Sequence, residues 1–153
     1  MNKASIIGGA ALLISVPFIA QWEGKRNDPY RDIVGVQTVC YGETNVPMRR
    51  YTNDECLAML NRSVAGYESA VLRCTPILAN RPAQLAAATS LAYNIGTGAY
   101  CRSTAARKFN QGDFLGACQQ FKRWNRAGGR VVPGLTNRRN AEYNLCVTYL
   151  PIR

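Results

Sequence analysis

The chain contains no histidine. Chemistry that needs an imidazole is therefore excluded, including Ser-His-Asp triads and histidine-ligated zinc. Carboxyl groups are the alternative acids and bases, and the 153-residue chain has nine of them on side chains. These are Glu23, Asp28, Asp32, Glu43, Asp54, Glu55, Glu68, Asp113 and Glu142. If the chain is a carboxylate enzyme, its catalytic groups are among these nine.

Three residues near the N-terminus have the types and the order that hydrolysis of a glycosidic bond requires. Glu23 ends an apolar run, Asp32 lies nine residues further on, and Thr38 follows six residues later. A carboxylic acid can protonate the leaving oxygen, while a carboxylate and a hydroxyl hold the attacking water. The spacing alone favours the alternative of an interfacial Glu, a turn Asp and a strand Thr with no catalytic role.

The second and third of these residues fall in a predicted β-hairpin. Two short strand-like runs, over residues 30–33 and 36–41, flank the turn-forming pair Val34-Gly35. Such a turn would bring Thr38 beside Asp32, so that a hydroxyl and a carboxylate could hold one water between them.

The rest of the chain is predicted to be largely helical. Thr52 and Glu55 form a capping box that begins a long helix over residues 53–73. Pro82 begins a second helix, which Gly96 ends. Further helices are predicted over residues 101–110, 113–125 and 135–148, with a loop over 127–134. The layout is a small β-containing lobe and a larger helical lobe, joined through the long helix.

An uncharged, mostly apolar run over residues 4–22 follows Met1-Asn2-Lys3. As a helix it would be ~28 Å long, just short of a hydrocarbon core. Its eight strongly apolar residues favour insertion by about 2.5–5 kcal/mol, and its Gly, Ser and Pro residues oppose it. Four interpretations remain open: a cleaved signal peptide, a permanent anchor, an anchor that later leaves the membrane, and an ordinary buried helix.

The charge and the cysteine content indicate the partner and the compartment. The formal net charge is +10, which favours an anionic partner. The charge is spread along the chain and no nucleic-acid motif is present, so a wall polymer is preferred to nucleic acid. The six cysteines are widely spaced without a CxxC pair, which predicts disulfides in an oxidising compartment and no metal site. No cofactor is expected.

The motifs around these residues resemble those of the phage-type lysozymes, and they occur in the same order. The first match is Trp22-Glu23-Gly24, followed by Tyr30-Arg31-Asp32 and the run from Gly35 through Thr38 to Gly42. The later matches are Tyr93-Asn94-Ile95-Gly96-Thr97-Gly98, Cys101-Arg102-Ser103-Thr104, Phe109-Asn110-Gln111-Gly112-Asp113, and the stretch from Trp124 through Pro133-Gly134-Leu135 to Arg138-Arg139 and Glu142. The resemblance covers about residues 21–147.

This resemblance implies an α+β, two-lobed lysozyme-like fold with a small β-hairpin lobe and a larger helical lobe joined by a long helix. It implies a muramidase domain over residues 23–153 that cuts the β-1,4 bond between N-acetylmuramic acid and N-acetylglucosamine in peptidoglycan. By position, Glu23 is then the general acid, Asp32 and Thr38 hold the attacking water, and inversion is expected. A monomer without a cofactor is expected.

Two local features follow from the same resemblance. The family's small lobe would bring the start of the long helix beside the second strand, which implies a Cys40–Cys56 disulfide. The chain departs from the family at Glu43, where many relatives carry His. That difference puts in doubt only the hydrogen bonding behind the hairpin.

The N-terminus resembles the signal-arrest-release subgroup of endolysins. The resemblance implies that residues 1–22 are a signal-anchor, exported by the host machinery and held in the inner membrane by residues 4–22. The tethered protein would be inactive, and depolarisation would release it into the periplasm. Residues 1–39 contain no cysteine, so we expect refolding of the segment onto the body rather than a thiol switch.

Three further side chains allow more than one interpretation. Asn94 and Thr97 lie at the end of a predicted helix that should reach the cleft, where they could bind substrate or cap the helix. Trp124 could stack on a sugar, but its apolar neighbours at helical spacing favour core packing.

The remaining charged residues are predicted to have structural or neutral roles. Arg138, Arg139 and Glu142 lie at helical spacing, and could form a solvated ion-pair face or a structural network between helices. Glu68 and Asp113 are expected to tolerate neutralisation.

Two other functions compete with hydrolysis. A lytic transglycosylase on the same fold would need the acid but not the water-holding pair Asp32 and Thr38. A cationic, bilayer-disrupting protein would need an amphipathic, charged N-terminus, whereas residues 4–22 carry no charge.

Overall fold

The computed structural model describes the backbone of residues 3–150 and the side chains of residues 9–150. Met1 and Asn2 of the predicted N-terminal segment, its side chains through residue 8, and residues 151–153 lie outside the described part. The helices are α1 (Lys3–Trp22), α2 (Asn53–Cys74), α3 (Pro82–Ile95), α4 (Thr97–Cys101), α5 (Thr104–Asn110), α6 (Phe114–Gln120) and α7 (Pro133–Cys146). The strands are β1 (Arg26–Arg31), β2 (Gln37–Cys40), β3 (Arg126–Ala127) and β4 (Arg130–Val131), and short 3₁₀ helices lie at Pro76–Asn80 and Phe121–Arg123. The predicted α+β class is confirmed.

The predicted hairpin is present, with strand bounds that differ from the prediction. β1 and β2 pair antiparallel, with Tyr30 opposite Thr38, and β1 begins at Arg26 and ends before Asp32. The turn is wider than Val34-Gly35 because the Asp32 carboxylate accepts hydrogen bonds from backbone N–H groups inside the turn. A short polar side chain that bonds its own backbone in this way competes with strand pairing.

The long helix begins where the capping box predicts. The Thr52 hydroxyl accepts from the Glu55 N–H at 3.1 Å, and the Glu55 carboxylate accepts from the Thr52 N–H at 2.9 Å. The first turns of α2 pack Cys56 and Met59 against the hairpin lobe, and its later turns pack Val71 into the main helical core. The helix therefore joins the two lobes, as predicted.

The centre of the helical lobe is α3, which packs against α1, α2 and α7. Pro82 occupies its first turn, and Gly96 ends it with a φ of 95° that favours glycine. The N-terminal helix α1 is part of this body, with Ala11 and Ile19 fully buried. Within the described residues, no helix combines the length and the apolar character needed to cross a membrane.

The C-terminal third corrects several predicted bounds. The predicted helix 101–110 is two helices, because the Ser103 hydroxyl caps a new helix by accepting from the Ala106 N–H at 3.1 Å. The predicted helix 113–125 ends at Gln120 and continues as a 3₁₀ turn. The predicted loop 127–134 contains the β3–β4 hairpin, whose turn is Gly128-Gly129, both at positive φ. The last helix begins at Pro133, two residues earlier than predicted.

All six cysteines are paired, which confirms the prediction of three disulfides. Cys40–Cys56 ties β2 to the first turn of α2 and is the pair that the resemblance implies. The other pairs are Cys74–Cys101, joining α2 to α4, and Cys118–Cys146, joining α6 to α7.

Candidate active site

Glu23 projects from the C-terminal end of α1. Its backbone N–H donates to the Ile19 carbonyl at 3.1 Å, so the residue completes the last helical turn. Its carboxylate Oε1 accepts a hydrogen bond from Arg138 Nη1 at 2.9 Å, and 27% of its side chain is exposed. A guanidinium on α7, 115 residues away in sequence, therefore fixes one oxygen of this carboxylate.

Arg138 belongs to a buried network rather than to a solvated face. Its Nε lies 3.3 Å from Glu142 Oε2, and Arg139 Nε lies 2.6 Å from Glu142 Oε1. The Ser90 hydroxyl on α3 donates to the same Glu142 carboxylate. Burial lowers the pKa of Arg139, while the charge of Glu142 opposes that effect. Together with Glu23, two cations face two anions, so the buried charge is compensated. Of the two interpretations of this cluster, the structural network is correct.

Of the two predicted substrate residues, Asn94 contacts this network and Thr97 lies in a separate cavity. Asn94 is exposed, and its Oδ1 accepts from Arg139 Nη1 at 2.9 Å, which leaves its amide N–H groups facing solvent. Thr97 is the first residue of α4, and the N-cap position before it is Gly96. Thr97 lines a small surface cavity of about 250 Å³ with Ser63 and Tyr67 of α2. Substrate binding by Asn94 and Thr97 stays a prediction.

Asp32 and Thr38 share one face of the hairpin. Thr38 pairs with Tyr30, and Asp32 follows two residues later, where its backbone N–H still donates to the Val36 carbonyl at 2.9 Å. Alternation along the hairpin therefore predicts that the two side chains are diagonal neighbours on one face. Asp32 Oδ1 accepts from the N–H groups of Val34 and Val36, and Oδ2 has no hydrogen bond to any described residue. The Thr38 hydroxyl is buried and donates to the Val36 carbonyl at 3.0 Å, which leaves its oxygen free to accept.

Glu43 links the hairpin to the helix behind it. Its backbone exchanges two hydrogen bonds with Val39, and its carboxylate Oε1 accepts from the Ser63 hydroxyl at 2.9 Å. The chain's departure from the family pattern is thus accommodated by an anchoring contact between the hairpin and α2.

Two residues of this region were not predicted to contribute to the site. Arg138 holds Glu23, but no local pattern relates residues so far apart in sequence. Tyr93 packs against Tyr67 with ring centroids 4.9 Å apart. Burial raises the pKa of the Tyr93 phenol, and the negative charges of Glu23 and Glu43 raise it further. In the sequence, Tyr93 directly precedes the predicted substrate residue Asn94, and this adjacency could have indicated that Tyr93 lies at the site.

Trp124 has a mixed environment. Its ring is half-buried against the main core, as predicted, and its backbone carbonyl accepts from Arg139 Nη1 at 3.2 Å. The exposed part of the residue lines a surface cavity with Arg102 and Arg123.

Comparisons with known proteins converge on one family. Residues 20–142 match the family model described as phage lysozyme. The chain is 40% identical to the SAR-endolysin of Bacteriophage PS119, with 94% of this chain and 90% of that protein covered. It is also 40% identical to the SAR-endolysin of Enterobacteria phage P21, with 94% and 92% covered. The structure of the active form of P1 phage endolysin Lyz matches with a TM-score of 0.79 at 24% identity, covering 97% of this chain and 93% of that chain.

Proposed function

Because the chain belongs to the phage lysozyme family, we propose that it hydrolyses the β-1,4 bond between N-acetylmuramic acid and N-acetylglucosamine with inversion at the anomeric carbon. Family membership makes it a muramidase, a glycoside hydrolase that acts on peptidoglycan in host cell lysis. The observation that carries the finer proposal is the arrangement of three groups. One carboxyl is fixed by a guanidinium at the end of α1, and a second carboxyl shares a hairpin face with a hydroxyl.

In the proposed mechanism, Glu23 donates its proton to the oxygen of the leaving sugar. Arg138 holds Oε1, which leaves Oε2 to reach the glycosidic oxygen. The same guanidinium stabilises the carboxylate that remains after proton transfer. Arg138 does not touch the reacting atoms in this scheme, so it is a positioning residue.

The attacking water is held by the hairpin. Asp32 Oδ2 accepts one water proton, and Thr38 Oγ1 accepts the other, because its own proton is committed to the Val36 carbonyl. The water oxygen then bonds to the anomeric carbon from the face opposite the leaving group, and its proton passes to Asp32. The products are one sugar with a new reducing end and one with a free hydroxyl. Asn94 and Thr97 are proposed to hydrogen-bond neighbouring sugars.

We further propose that residues 1–22 are a signal-anchor and residues 23–153 the catalytic domain, with export, inner-membrane tethering and release into the periplasm. The relatives described as SAR-endolysins support this proposal. So does the position of α1, since Glu23 meets Arg138 only when α1 packs on the body. With residues 4–22 in the bilayer, Glu23 would lie at the membrane surface, away from its guanidinium. All proposed site residues come from one chain, so a monomer suffices.

Analysis of the wall fragments tests the reaction. Peptidoglycan digested with the full chain should give fragments with free reducing ends, and the first-formed anomer should be inverted by NMR. Fragments lighter by one water, with anhydro ends, would establish a transglycosylase instead. The Glu23→Gln variant should release no fragments, while the exposed-carboxylate control Asp54→Asn should behave as wild type. Lysis that survives Glu23→Gln would favour the bilayer-disrupting alternative.

Fractionation tests the release. Wild-type protein should move from the membrane pellet to the periplasm after depolarisation without losing mass. Replacing Gly8 and Gly9 by Leu adds about 0.6–1.2 kcal/mol of insertion drive, so this variant should stay in the pellet longer. A shorter form would indicate a cleaved signal peptide, and permanent residence in the pellet would indicate a true anchor.

A further inference from the structure

One carboxylic acid lies inside the body, away from the proposed site. Glu68, on α2, is only 5% exposed. Its Oε1 is buried and has no hydrogen-bond partner among the described residues. Burying a carboxylate without a partner costs far more free energy than burying the neutral acid. The group is therefore stable in this position chiefly in its protonated form.

The surroundings offer no charge that could compensate an ionised Glu68. The elements packed most closely against α2 are α1, α3, α4, β2 and the 3₁₀ helix Pro76–Asn80. Their described side chains include no Asp, Glu, Lys or Arg. Their titratable groups are Tyr93, whose ring packs against that of Tyr67 on α2, and Tyr100, whose hydroxyl is bonded to that of Thr75, together with disulfide-bonded cysteines. On α2 itself, Arg62 and Arg73 are exposed.

The position of Glu68 on α2 places it in the face that receives α1. Leu60 and Val64 share a buried cluster with Val16 and Ile19 of α1. Val71, one turn beyond Glu68, shares the main core cluster with Ala11 of α1. Glu68 lies between Val64 and Val71 on the same buried stripe of α2.

The helix α1 also carries a buried polar side chain. Ser15 is midway between Ala11 and Ile19, is fully buried, and its hydroxyl has no hydrogen-bond partner among the described residues. Both helices thus carry one buried polar group without a hydrogen-bond partner among the described residues. Since α1 packs against α2 and contacts Leu60 and Val64 on this stripe, we expect its departure to expose the Glu68 carboxylate to water.

We propose that Glu68 makes the docking of α1 onto the body a proton-coupled step. When α1 is away from the body, the carboxylate faces water and is ionised at neutral pH. When α1 closes over it, the carboxylate takes up one proton from solvent, and it gives that proton up again if α1 leaves. The proposal rests on the proposed release of residues 4–22 from the membrane.

The direction of the pH effect follows from the burial. Burial raises the pKa of Glu68 from 4.5 to about 7 in the folded body. Because the pKa of Glu68 is higher in the docked state, Glu68 favours docking of α1 most at low pH. Its favourable contribution to the docking free energy falls between pH 4.5 and 7 and is lost above 7. The docking equilibrium should therefore be about tenfold more favourable at pH 6 than at pH 8. The chain has no histidine, so no other side chain of ordinary pKa titrates in that interval.

The proposal is tested with full-length protein in cells, by fractionation after depolarisation at external pH 6 and pH 8. Wild-type protein should leave the membrane more completely at pH 6. Glu68→Gln, which is neutral at every pH, should leave equally at both values. Asp54→Asn, an exposed carboxylate on the same helix, should retain the wild-type pH dependence. The N-terminal α-amino group also titrates in this pH range. Its contribution is the same in all three proteins, so it does not affect the differences between their pH dependences.

Purified released protein provides a readout that does not depend on the membrane. The urea midpoint of the wild type should fall as the pH rises from 5 to 7.5, and calorimetry in buffers of different ionisation enthalpy should detect about one proton released on unfolding at pH 6. If Glu68→Gln does not fold, the wild-type proton count alone decides. No proton release, or the same pH dependence in Glu68→Gln, overturns the proton-coupled step. Failure of wild-type protein to leave the membrane at either pH, with the proton count intact, overturns the release mechanism instead.

Discussion

Glu23 is held by groups from distant parts of the chain, whereas Asp32 and Thr38 are held by hydrogen bonds within a few residues of themselves. The carboxylate of Glu23 depends on Arg138, which depends in turn on the buried Glu142. The hairpin residues use the Val36 backbone, which lies inside the same turn. One side of the proposed cleft therefore exists only in the completed fold, while the other can form locally.

The two sides also differ in exposure and in what secures them to the body. Arg138, Arg139 and Glu142 are buried among α3 and α7. The tip of the hairpin is exposed, and the hairpin is fastened by the Cys40–Cys56 disulfide and by Glu43. We expect changes on the helical side to destabilise the whole fold, and changes on the hairpin side to reduce activity more than stability.

The largest expected effect is the loss of catalysis when either proposed catalytic carboxyl is neutralised. Glu23→Gln removes the proton donor, which is worth about 10²–10⁴ in rate. Asp32→Asn removes the acceptor of the water proton, yet its amide oxygen can still accept the turn hydrogen bonds, so the fold should persist. Wall hydrolysis rates and circular dichroism measure the two properties. Near-full activity of Asp32→Asn would contradict the inverting assignment.

The control for these two variants should be a carboxylate that is exposed and makes no structural contact. Glu68 and Asp113 are expected from the sequence to tolerate neutralisation, which stays a prediction, but each has a structural role that makes it a poor reference. Glu68 is buried, and the Asp113 carboxylate caps α6 by accepting from the Gly116 N–H. Asp54 is exposed and makes no ion pair within the described residues, so Asp54→Asn is the appropriate reference.

The next largest expected effect is a loss of stability when the buried ion-pair network of Arg138, Arg139 and Glu142 is broken. Glu142→Gln leaves two buried guanidinium groups short of a counter-charge, and breaking such a pair costs about 3–5 kcal/mol of unfolding free energy. Asp28→Asn, which breaks the exposed ion pair with Arg50, should cost less than about 1 kcal/mol. Urea denaturation of both variants checks the difference. Equal costs would mean that burial does not distinguish the two pairs.

The Cys40–Cys56 disulfide tests how far the hairpin is independent of the body. Its cysteines are 16 residues apart, and removing the cross-link should cost about 3 kcal/mol by loop entropy. The double Ser variant should also lose activity at temperatures where the helical body is still folded, because β2 carries Thr38. Removing Cys74–Cys101, which joins α2 to α4, is the matched control. It should lower stability similarly and leave the activity of the folded protein unchanged.

The sequence predicts the parts of the fold that neighbouring residues determine. Thr52 with Glu55, and Pro82 with Gly96, mark helix ends because a cap or a backbone restriction acts within one turn. The proposed catalytic residues are predicted through the family resemblance, since their spacing alone favours a structural role. The Glu23–Arg138 contact joins residues 115 positions apart, so no local pattern could predict it.

The burial of Glu68 could have been predicted from its spacing along α2. It lies four residues after Val64 and three before Val71, at positions that share one helix face. That spacing places it in the apolar stripe, although its charge indicates an exposed residue. Burial of a carboxylate depends on what packs over it, and α1 reaches this face from more than 40 residues earlier in the chain.

The smallest expected effect is that of Thr38→Val, which tests whether the hairpin side acts through one hydroxyl or through its shape. Valine keeps the branched side chain in its buried position on β2 and removes only the hydroxyl. A neutral hydrogen bond contributes about 0.5–1.5 kcal/mol, so hydrolysis should fall by roughly two- to tenfold. Thr38→Ser keeps the hydroxyl and should retain more activity than Thr38→Val at matched stability, measured as wall hydrolysis normalised to folded protein. If the valine variant lost as much activity as Asp32→Asn, Thr38 would have to do more than orient the water, and the two hairpin residues would act as one unit. If it lost none, Asp32 alone would hold the water, and the hairpin side of the cleft would reduce to a single carboxylate.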